Sequence, residues 1–189
     1  MISNKVRFFD IFFSSFILII FSPIILIIIF LSLIFNGYPI IYKQTRVGHH
    51  GKKFIIYKFR TMIDNKFKNE KLRLTFFGKI LRKTSLDELP QFINVLKKDM
   101  SIVGPRPLPF LIEKKIKNSL KVKRRSVLPG ITGLSQINYV GKKRKLIKKI
   151  NLDIKYIDNY TLKNYFEILF KTPLVVVVRF FKNKSSIIE

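Results

Sequence analysis

Residues 84–107 read TSLDELPQFINVLKKDMSIVGPRP and join an acidic pair, Asp87-Glu88, to a proline-rich turn around Arg106. The pair is conspicuous because the chain has 11 Asp and Glu against 37 Lys and Arg. In the turn, proline rings fix the backbone on both sides of Arg106. A guanidinium held in this way suits a bidentate contact to phosphate, although a plain surface turn is the simpler alternative.

The acidic pair also has a purely structural interpretation. The surrounding pattern predicts helical structure over residues 76–98, with Thr84 or Ser85 as the N-cap of the part that carries the acids. Thr84 precedes Asp87 by three residues, and Ser85 precedes Glu88 by three, as in a capping box. On the local pattern alone, a helix cap and a functional site remain equally good explanations.

The composition limits the classes of function. The net charge of +26 favours polyanionic partners, namely nucleic acid, anionic lipid or phosphorylated small molecules. Lys, Ile, Asn, Phe and Tyr have AT-rich codons, so genome composition is an alternative source of part of this charge. The chain has no Cys, which excludes disulfides and thiol catalysis. Its only two His, His49 and His50, are adjacent and too few for a histidine-rich metal site.

Residues 11–35 contain no charged residue, which indicates a membrane-embedded segment. As a continuous helix they would extend about 37 Å, against about 30 Å of bilayer hydrocarbon. Ser22-Pro23 lies near the centre, where proline bends or breaks a helix and Ser22 can bond a freed carbonyl. Both flanks are basic, which slightly favours a re-entrant hairpin over a kinked spanning helix. The basic flanking residues are Lys5, Arg7, Lys43, Arg46, Lys52 and Lys53.

The remainder of the chain predicts a mixed α/β domain. Residues 38–62 alternate with period two on both sides of GHHGK, which predicts a short β-hairpin with His49 and His50 in its turn. Residues 111–125 are predicted to form a basic helix. Residues 128–138, LPGITGLSQIN, are interpreted as a glycine-rich loop able to offer amide groups to an anion.

The tail alternates aromatic and basic residues between 151 and 181. Such a stretch suits either the membrane interface or a packed core. Its LVVVV run, residues 174–178, fits either a strand or the end of a helix. The whole chain is therefore expected to be mostly helical, with residues 1–37 in the membrane and residues 38–189 forming a compact domain at its surface.

The residue types leave few chemical roles for the acidic pair. Without a His, Cys or Ser triad, a carboxylate can act as acid or base, bind Mg²⁺, or attack an electrophile. Because so many Lys and Arg are present, the electrophile is expected to be a phosphate. A rival hypothesis is a non-catalytic, membrane-anchored basic protein that binds anionic lipid or nucleic acid. That hypothesis gives no reason for two adjacent carboxylates.

The sequence closely resembles the bacterial sugar transferases, the small monotopic phosphoglycosyl transferases, over almost its whole length. The resemblance lies in Ser22-Pro23, in TSLDELPQFINVLKKDMSIVGPRP, and in three further blocks. These blocks are RVGHHGKKFIIYKFRTM (46–62), PGITGLSQIN (129–138) and DIKYIDNYTLKNYFEILFKT (153–172). The long, ordered central block makes the resemblance highly specific.

This resemblance implies an activity. Family members move a sugar 1-phosphate from a UDP-sugar to undecaprenyl phosphate, release UMP, and begin the synthesis of a glycoconjugate. The family mechanism is ping-pong and requires Mg²⁺. The resemblance also implies a re-entrant Ser22-Pro23 helix break in the bacterial cytoplasmic membrane, with the catalytic domain on the cytoplasmic face against anionic lipid. It gives no role to nucleic acid.

The resemblance also assigns residues. Asp87 is implied as the nucleophile that carries the phosphosugar and lies near Mg²⁺, and Glu88 supports it. Residues implied in substrate binding are Lys58, Arg60, Arg82, Arg106 and Asp153. The sequence departs from the family pattern at Lys98, at Leu134, in a shortened segment after Met62, and after Asn138, where an arginine that often helps to hold the substrate is missing.

Overall fold

The computed structural model describes residues 2–63, 69–138 and 146–181. Within these residues, the chain forms ten α-helices, two short 3-10 helices and two small sheets, so the expected mixed, mostly helical fold is confirmed. The strands are β1 (Ile41–Val47), β2 (Lys53–Phe59), β3 (Ser101–Val103) and β4 (Gly130–Thr132). The helices are α1 (Ile2–Ile20), α2 (Ser22–Asn36), α3 (Glu70–Arg73), α4 (Phe76–Thr84), α5 (Gln91–Leu96), α6 (Phe110–Lys114), α7 (Asn118–Arg124), α8 (Leu134–Asn138), α9 (Leu146–Asp158) and α10 (Leu162–Phe181).

The apolar segment at the front is broken where the sequence predicts. Helices α1 and α2 meet at Phe21 and are bent by 62° relative to each other. Pro23 has no amide hydrogen for the carbonyl of Ile19, four residues earlier. The hydroxyl of Ser22 donates to that carbonyl at 2.7 Å, as expected. The Ser-Pro pair therefore both creates the break and satisfies the carbonyl group that it frees.

No single helix in the described parts of the chain is long and apolar enough to cross a membrane. The bent pair, Ser3–Ile20 with Ser22–Asn36, reaches the required length and composition only when its two helices are taken together.

Helix α1 is tied to the rest of the molecule by polar contacts. Asp10 is buried, and its Oδ1 accepts hydrogen bonds from the Ser101 hydroxyl, the Ile102 amide and the Tyr165 hydroxyl at 3.0, 2.9 and 2.8 Å. Arg7 donates to the Val95 carbonyl at the end of α5. The N-terminal half of α1, which precedes the apolar segment, is thereby fixed to β3, α5 and α10.

The predicted hairpin is confirmed. Strands β1 and β2 are antiparallel, with Ile41 opposite Phe59 and Val47 opposite Lys53. His49 and His50 lie in the connecting turn. Beyond β2, the buried Asn94 accepts from the Tyr57 amide and donates to the Ile55 carbonyl. Because Asn94 supplies the bonds that a third strand would make, α5 is held against the hairpin.

The helical structure predicted over 76–98 is present as α4, a 3-10 turn and α5, but the capping interpretation of the acidic pair is wrong, because neither Thr84 nor Ser85 caps the turn with its side chain. Ser85 adopts a left-handed φ of 59° and ends α4, and a 3-10 turn follows at Leu86–Glu88. The Thr84 hydroxyl donates to the Ile80 carbonyl and therefore caps no helix start. The side chain that does cap α4 is Thr75, which accepts from the Gly78 amide.

Three further segments either differ from their predictions or decide between two predicted alternatives. The predicted helix over 111–125 divides into α6 and α7, because Ile116 between them turns into the core. The predicted glycine-rich loop instead forms β4, parallel to β3, followed by α8. The amide of Gly130 donates to the Pro105 carbonyl rather than being open to an anion. The LVVVV run, for which helix and strand were both open, continues α10.

Candidate active site

The two acids lie on the 3-10 turn between α4 and α5, opposite strand β2. The left-handed residue Ser85 reverses the chain direction there. Its carbonyl oxygen accepts a hydrogen bond of 3.1 Å from the Glu88 amide. Asp87 points inward and is 8% exposed, whereas Glu88 is partly exposed. A tight turn therefore places one buried and one partly exposed carboxylate next to each other.

Glu88 is held by two cations. Its Oε1 lies 2.6 Å from Lys58 Nζ and 3.5 Å from Arg106 Nη2. Burial opposes the ionisation of Glu88, but Lys58 and then Arg106 outweigh this effect and lower its pKa to about 2. Glu88 is therefore a permanent anion that fixes two cations beside its neighbour.

Asp87 has the opposite electrostatic character. Burial, followed by the negative charge of Glu88, raises the pKa of Asp87 to about 6. The positive charges of Lys58, Arg82 and Arg106 act in the other direction. The two adjacent carboxyl groups therefore have well-separated pKa values, which is typical of paired acids with different tasks.

Two predicted arginines differ in their position relative to the acids. Arg82, on the last turn of α4, donates from Nε to the hydroxyl of buried Thr61 at 2.9 Å and is close enough to Asp87 to influence its ionisation. Arg60 donates instead to the Tyr38 and Met62 carbonyls, both at 2.8 Å. Its guanidinium therefore fastens the backbone on both sides of the hairpin rather than facing the acids.

The turn that carries Arg106 is supported from beneath by a buried ion pair. Arg124 lies 3.1 Å from Asp153, each with a side chain 5% exposed, and donates from Nη2 to the Arg106 carbonyl at 2.8 Å. Burial raises the pKa of Asp153 although Arg124 lowers it. Through its ion pair with Arg124, Asp153 therefore helps to position the Arg106 turn.

Sequence reasoning missed three arginines. Arg124 supports the Arg106 turn. Arg46 on β1 is half-buried, its Nε has no hydrogen-bond partner among the described residues, and burial followed by repulsion from Arg106 lowers its pKa. Arg179, near the end of α10, is close enough to Glu88 to favour its ionisation. No sequence signal separates these three from the other basic residues, because only the tertiary fold brings them to the acids.

Comparison with known proteins assigns the family. The family model described as bacterial sugar transferase matches residues 3–179. The chain belongs to the bacterial sugar transferase family. It is 42% identical to an uncharacterized sugar transferase of Bacillus subtilis, over 91% of this chain and 87% of that protein. It is therefore a transferase, and the clustered acids and cations are the residues best placed to form its active site.

Two longer relatives have more specific names. The chain is 41% identical to the UDP-glucose:undecaprenyl-phosphate glucose-1-phosphate transferase of Klebsiella pneumoniae, over 94% of this chain. It is 40% identical to the undecaprenyl-phosphate galactose phosphotransferase of Salmonella typhimurium, over 92% of this chain. The sugar transferase spans 40% of the length of each of these two proteins.

One carboxylate of the acidic pair could serve as a ligand of a magnesium ion. No group of three or more Asp, Glu, His or Cys side chains able to hold a metal occurs within residues 2–63, 69–138 and 146–181. Mg²⁺ usually takes only one or two protein carboxylates and completes its shell with water and substrate phosphates. Asp87 can supply such a carboxylate, since Lys58 and Arg106 are directed at Glu88.

Lys58→Met is expected to lower the transfer rate about 100-fold. The substitution keeps an unbranched side chain one atom shorter but removes the cation that lies 2.6 Å from Glu88 and acts on Asp87. Initial rates of nucleotide release measure the effect. Lys43→Met on the neighbouring strand removes an equal charge from an exposed position and is expected to keep the wild-type rate. Equal rates for the two variants would contradict a role for Lys58.

Proposed function

We propose that the protein transfers a sugar 1-phosphate from a UDP-sugar to undecaprenyl phosphate and releases UMP. The observation that carries this proposal is the buried carboxylate of Asp87 beside Glu88, facing Lys58, Arg82 and Arg106. Such a site suits the attack of an anion on a diphosphate, whose charge the cations offset. The names of the long relatives supply the two substrate classes.

The proposed reaction has two displacements on one phosphorus atom. In the first, a carboxylate oxygen of Asp87 attacks the phosphorus that carries the sugar, and the bond to the bridging oxygen breaks. UMP departs with that electron pair and leaves a phosphosugar on Asp87. In the second, a phosphate oxygen of the lipid attacks the same phosphorus, and Asp87 leaves as a carboxylate. Atoms and charges balance without an oxidant or a proton donor.

The surrounding residues have separate roles in this proposal. Lys58 and Arg106, fixed by Glu88, and Arg82, fixed by Thr61, stabilise the negative charge on the diphosphate. Mg²⁺ at Asp87 would add neutralisation of the diphosphate and of the departing UMP. Arg60 has a positioning role, because it holds the backbone at Tyr38 and Met62. Asp153 also has a positioning role, because it holds Arg124 against the Arg106 carbonyl.

The bent apolar segment suits a re-entrant anchor in the cytoplasmic membrane. Neither half passes the length and hydropathy test for a membrane-spanning helix on its own. Basic residues flank both ends, which supports a cytoplasmic position for both. Helix α1 contacts β3 directly, so this anchor would hold the active site at the interface where a polyprenyl phosphate presents its headgroup. Anionic lipid headgroups would also attract the basic residues of the domain to the membrane surface.

The test is UMP release by purified protein in nanodiscs with Mg²⁺, undecaprenyl phosphate and a panel of UDP-sugars. The proposal expects sustained release with at least one donor, dependent on the lipid and abolished by EDTA. Restoring Mg²⁺ should restore the rate. Absence of release with every donor, together with tight binding of anionic vesicles or nucleic acid, would instead favour the non-catalytic binding protein.

A further inference from the structure

The apolar segment at the front of the chain ends at a polar residue that is buried against the rest of the molecule. Asn36 is the last residue of α2 and is 5% exposed. Its Nδ2 donates to the Arg60 carbonyl at 2.7 Å, and its Oδ1 accepts from the Thr75 hydroxyl at 2.5 Å. The amide therefore uses both its donor and its acceptor, and each contacts a different part of the domain.

The bond to Arg60 restrains the backbone beside Thr61. The Arg60 carbonyl belongs to the peptide group that joins Arg60 to Thr61, directly after strand β2. Thr61 is buried, and its hydroxyl accepts a hydrogen bond of 2.9 Å from Arg82 Nε. Because a peptide group is planar, holding its carbonyl also restricts the backbone of the next residue. Asn36 therefore helps to orient the hydroxyl that receives Arg82.

The bond to Thr75 restrains the start of α4. Thr75 is the N-cap of this helix, and its hydroxyl accepts from the Gly78 amide at 2.8 Å while it donates to Asn36. Gly78 lies so close to the Thr61 carbonyl oxygen that a Cβ at this position would overlap it. Arg82 is on the last turn of the same nine-residue helix. The position of the helix start therefore determines where the Arg82 guanidinium can reach.

One amide thus holds both partners of the hydrogen bond between Arg82 and Thr61. It bonds the backbone next to the acceptor, and it bonds the cap of the helix that carries the donor. Helix α4 is followed directly by the turn that bears Asp87, and the two are in contact. The hydroxyl of Ser32, one turn earlier on the same buried face of α2, has no hydrogen-bond partner among the described residues. Burial on this face therefore does not by itself create such a link.

We propose that Asn36 is a positioning residue that joins the end of the apolar segment to Arg82 and so holds this guanidinium toward the diphosphate of the UDP-sugar. The inference rests on the proposed function and deepens it, because it connects the seating of the anchor in the bilayer to the geometry of the site. In this role Asn36 acts on the reaction through Arg82. Its loss should consequently matter only while Arg82 is present.

The test is a double-mutant cycle on kcat for UMP release, measured for the full chain in nanodiscs with Mg²⁺, undecaprenyl phosphate and the active UDP-sugar at saturation. Asn36→Leu keeps a branched side chain of similar size but removes both hydrogen bonds, and it is expected to lower kcat about 10-fold. Arg82→Gln is expected to lower kcat about 100-fold. In the Arg82→Gln background, Asn36→Leu should lower kcat by less than about 2-fold.

A second variant and a matched control accompany this cycle. Thr61→Val removes the hydroxyl that accepts from Arg82 but keeps Asn36, so it tests the same link even if Asn36→Leu folds poorly. It should lower kcat about 10-fold, and its combination with Asn36→Leu should lower kcat by less than the product of the two single effects. Ser32→Ala alters the same buried face of α2 and should keep the wild-type rate.

The inference is overturned if Asn36→Leu lowers kcat by the same factor in the wild-type and the Arg82→Gln backgrounds, since a general loss of folded protein acts equally in both. It is also overturned if Asn36→Leu keeps the same rate as Ser32→Ala, or if Thr61→Val keeps the wild-type rate. Turnover by the wild-type protein would leave the proposed function intact in each of these cases. Absence of turnover by the wild-type protein would remove the proposed function, and this inference with it.

Discussion

Asp87→Asn is expected to lower UMP release about 10⁴-fold or more, the size of effect that follows the loss of a covalent nucleophile. The amide has nearly the same shape as the carboxyl group but no ionised oxygen to attack phosphorus. Asp87 is buried beside a permanent anion, so a neutral side chain at this position should not unfold the protein. Steady-state UMP release with saturating donor and lipid provides the measurement.

The control for this substitution is Asp158→Asn. Asp158 is an exposed acid that pairs with Lys123 on the surface, and its loss should leave the rate unchanged. Circular dichroism should show native helix content in both variants. Asp87→Asn with a rate within 10-fold of wild type would contradict nucleophilic catalysis by this residue.

Gly130→Ala is expected to destabilise the protein by about 3 kcal/mol and to abolish most of its activity. A Cβ on Gly130 would overlap the backbone nitrogen of Gly104 and the carbonyl oxygen of Thr132. Both neighbours are backbone atoms that cannot rotate away. The strands would have to separate, and Gly104 begins the turn that positions Arg106.

The comparison variant is Gly37→Ala. Gly37 has nothing within 4 Å of its would-be Cβ but has a φ of +69°, so alanine there meets backbone strain without a steric overlap. Its expected cost is about 1 kcal/mol. Urea unfolding in micelles measures both values. If both variants lost a similar free energy of unfolding, the close packing of β3 against β4 would not explain the need for glycine at position 130.

Features that depend on neighbours in the sequence were predictable. Proline at 23 breaks a helix wherever it lies, and Ser22 can reach only nearby carbonyls, so the break and its hydrogen bond follow from local chemistry. The hairpin follows likewise from alternation on both sides of a short turn.

Features set by tertiary contacts were not predictable. Thr84 and Ser85 have the composition of a helix start, but the chain must reverse there to bring Asp87 under β2, and a left-handed Ser85 ends the helix instead. Residues 130–132 have the composition of a flexible loop, yet pairing with β3 makes them a strand.

Chemical reasoning and the family resemblance identified the acidic pair, whereas the residues around it were identified only from the fold. Lys58 is 30 residues from Glu88 and Arg106 is 18 residues away, so no local pattern identifies them as its ion-pair partners. For the same reason, no sequence pattern distinguishes Arg124 and Arg179 from the rest of the 37 Lys and Arg.

The central claim is that Asp87 carries the phosphosugar between the two substrates. The most direct measurement is intact-protein mass spectrometry after incubation with Mg²⁺ and the active UDP-sugar in the absence of lipid. We expect a mass increase of one phosphosugar, located on the peptide containing Asp87 and lost when undecaprenyl phosphate is added. Turnover with lipid but no such adduct, and no UMP release before lipid is added, would contradict the covalent account and indicate direct transfer between the substrates.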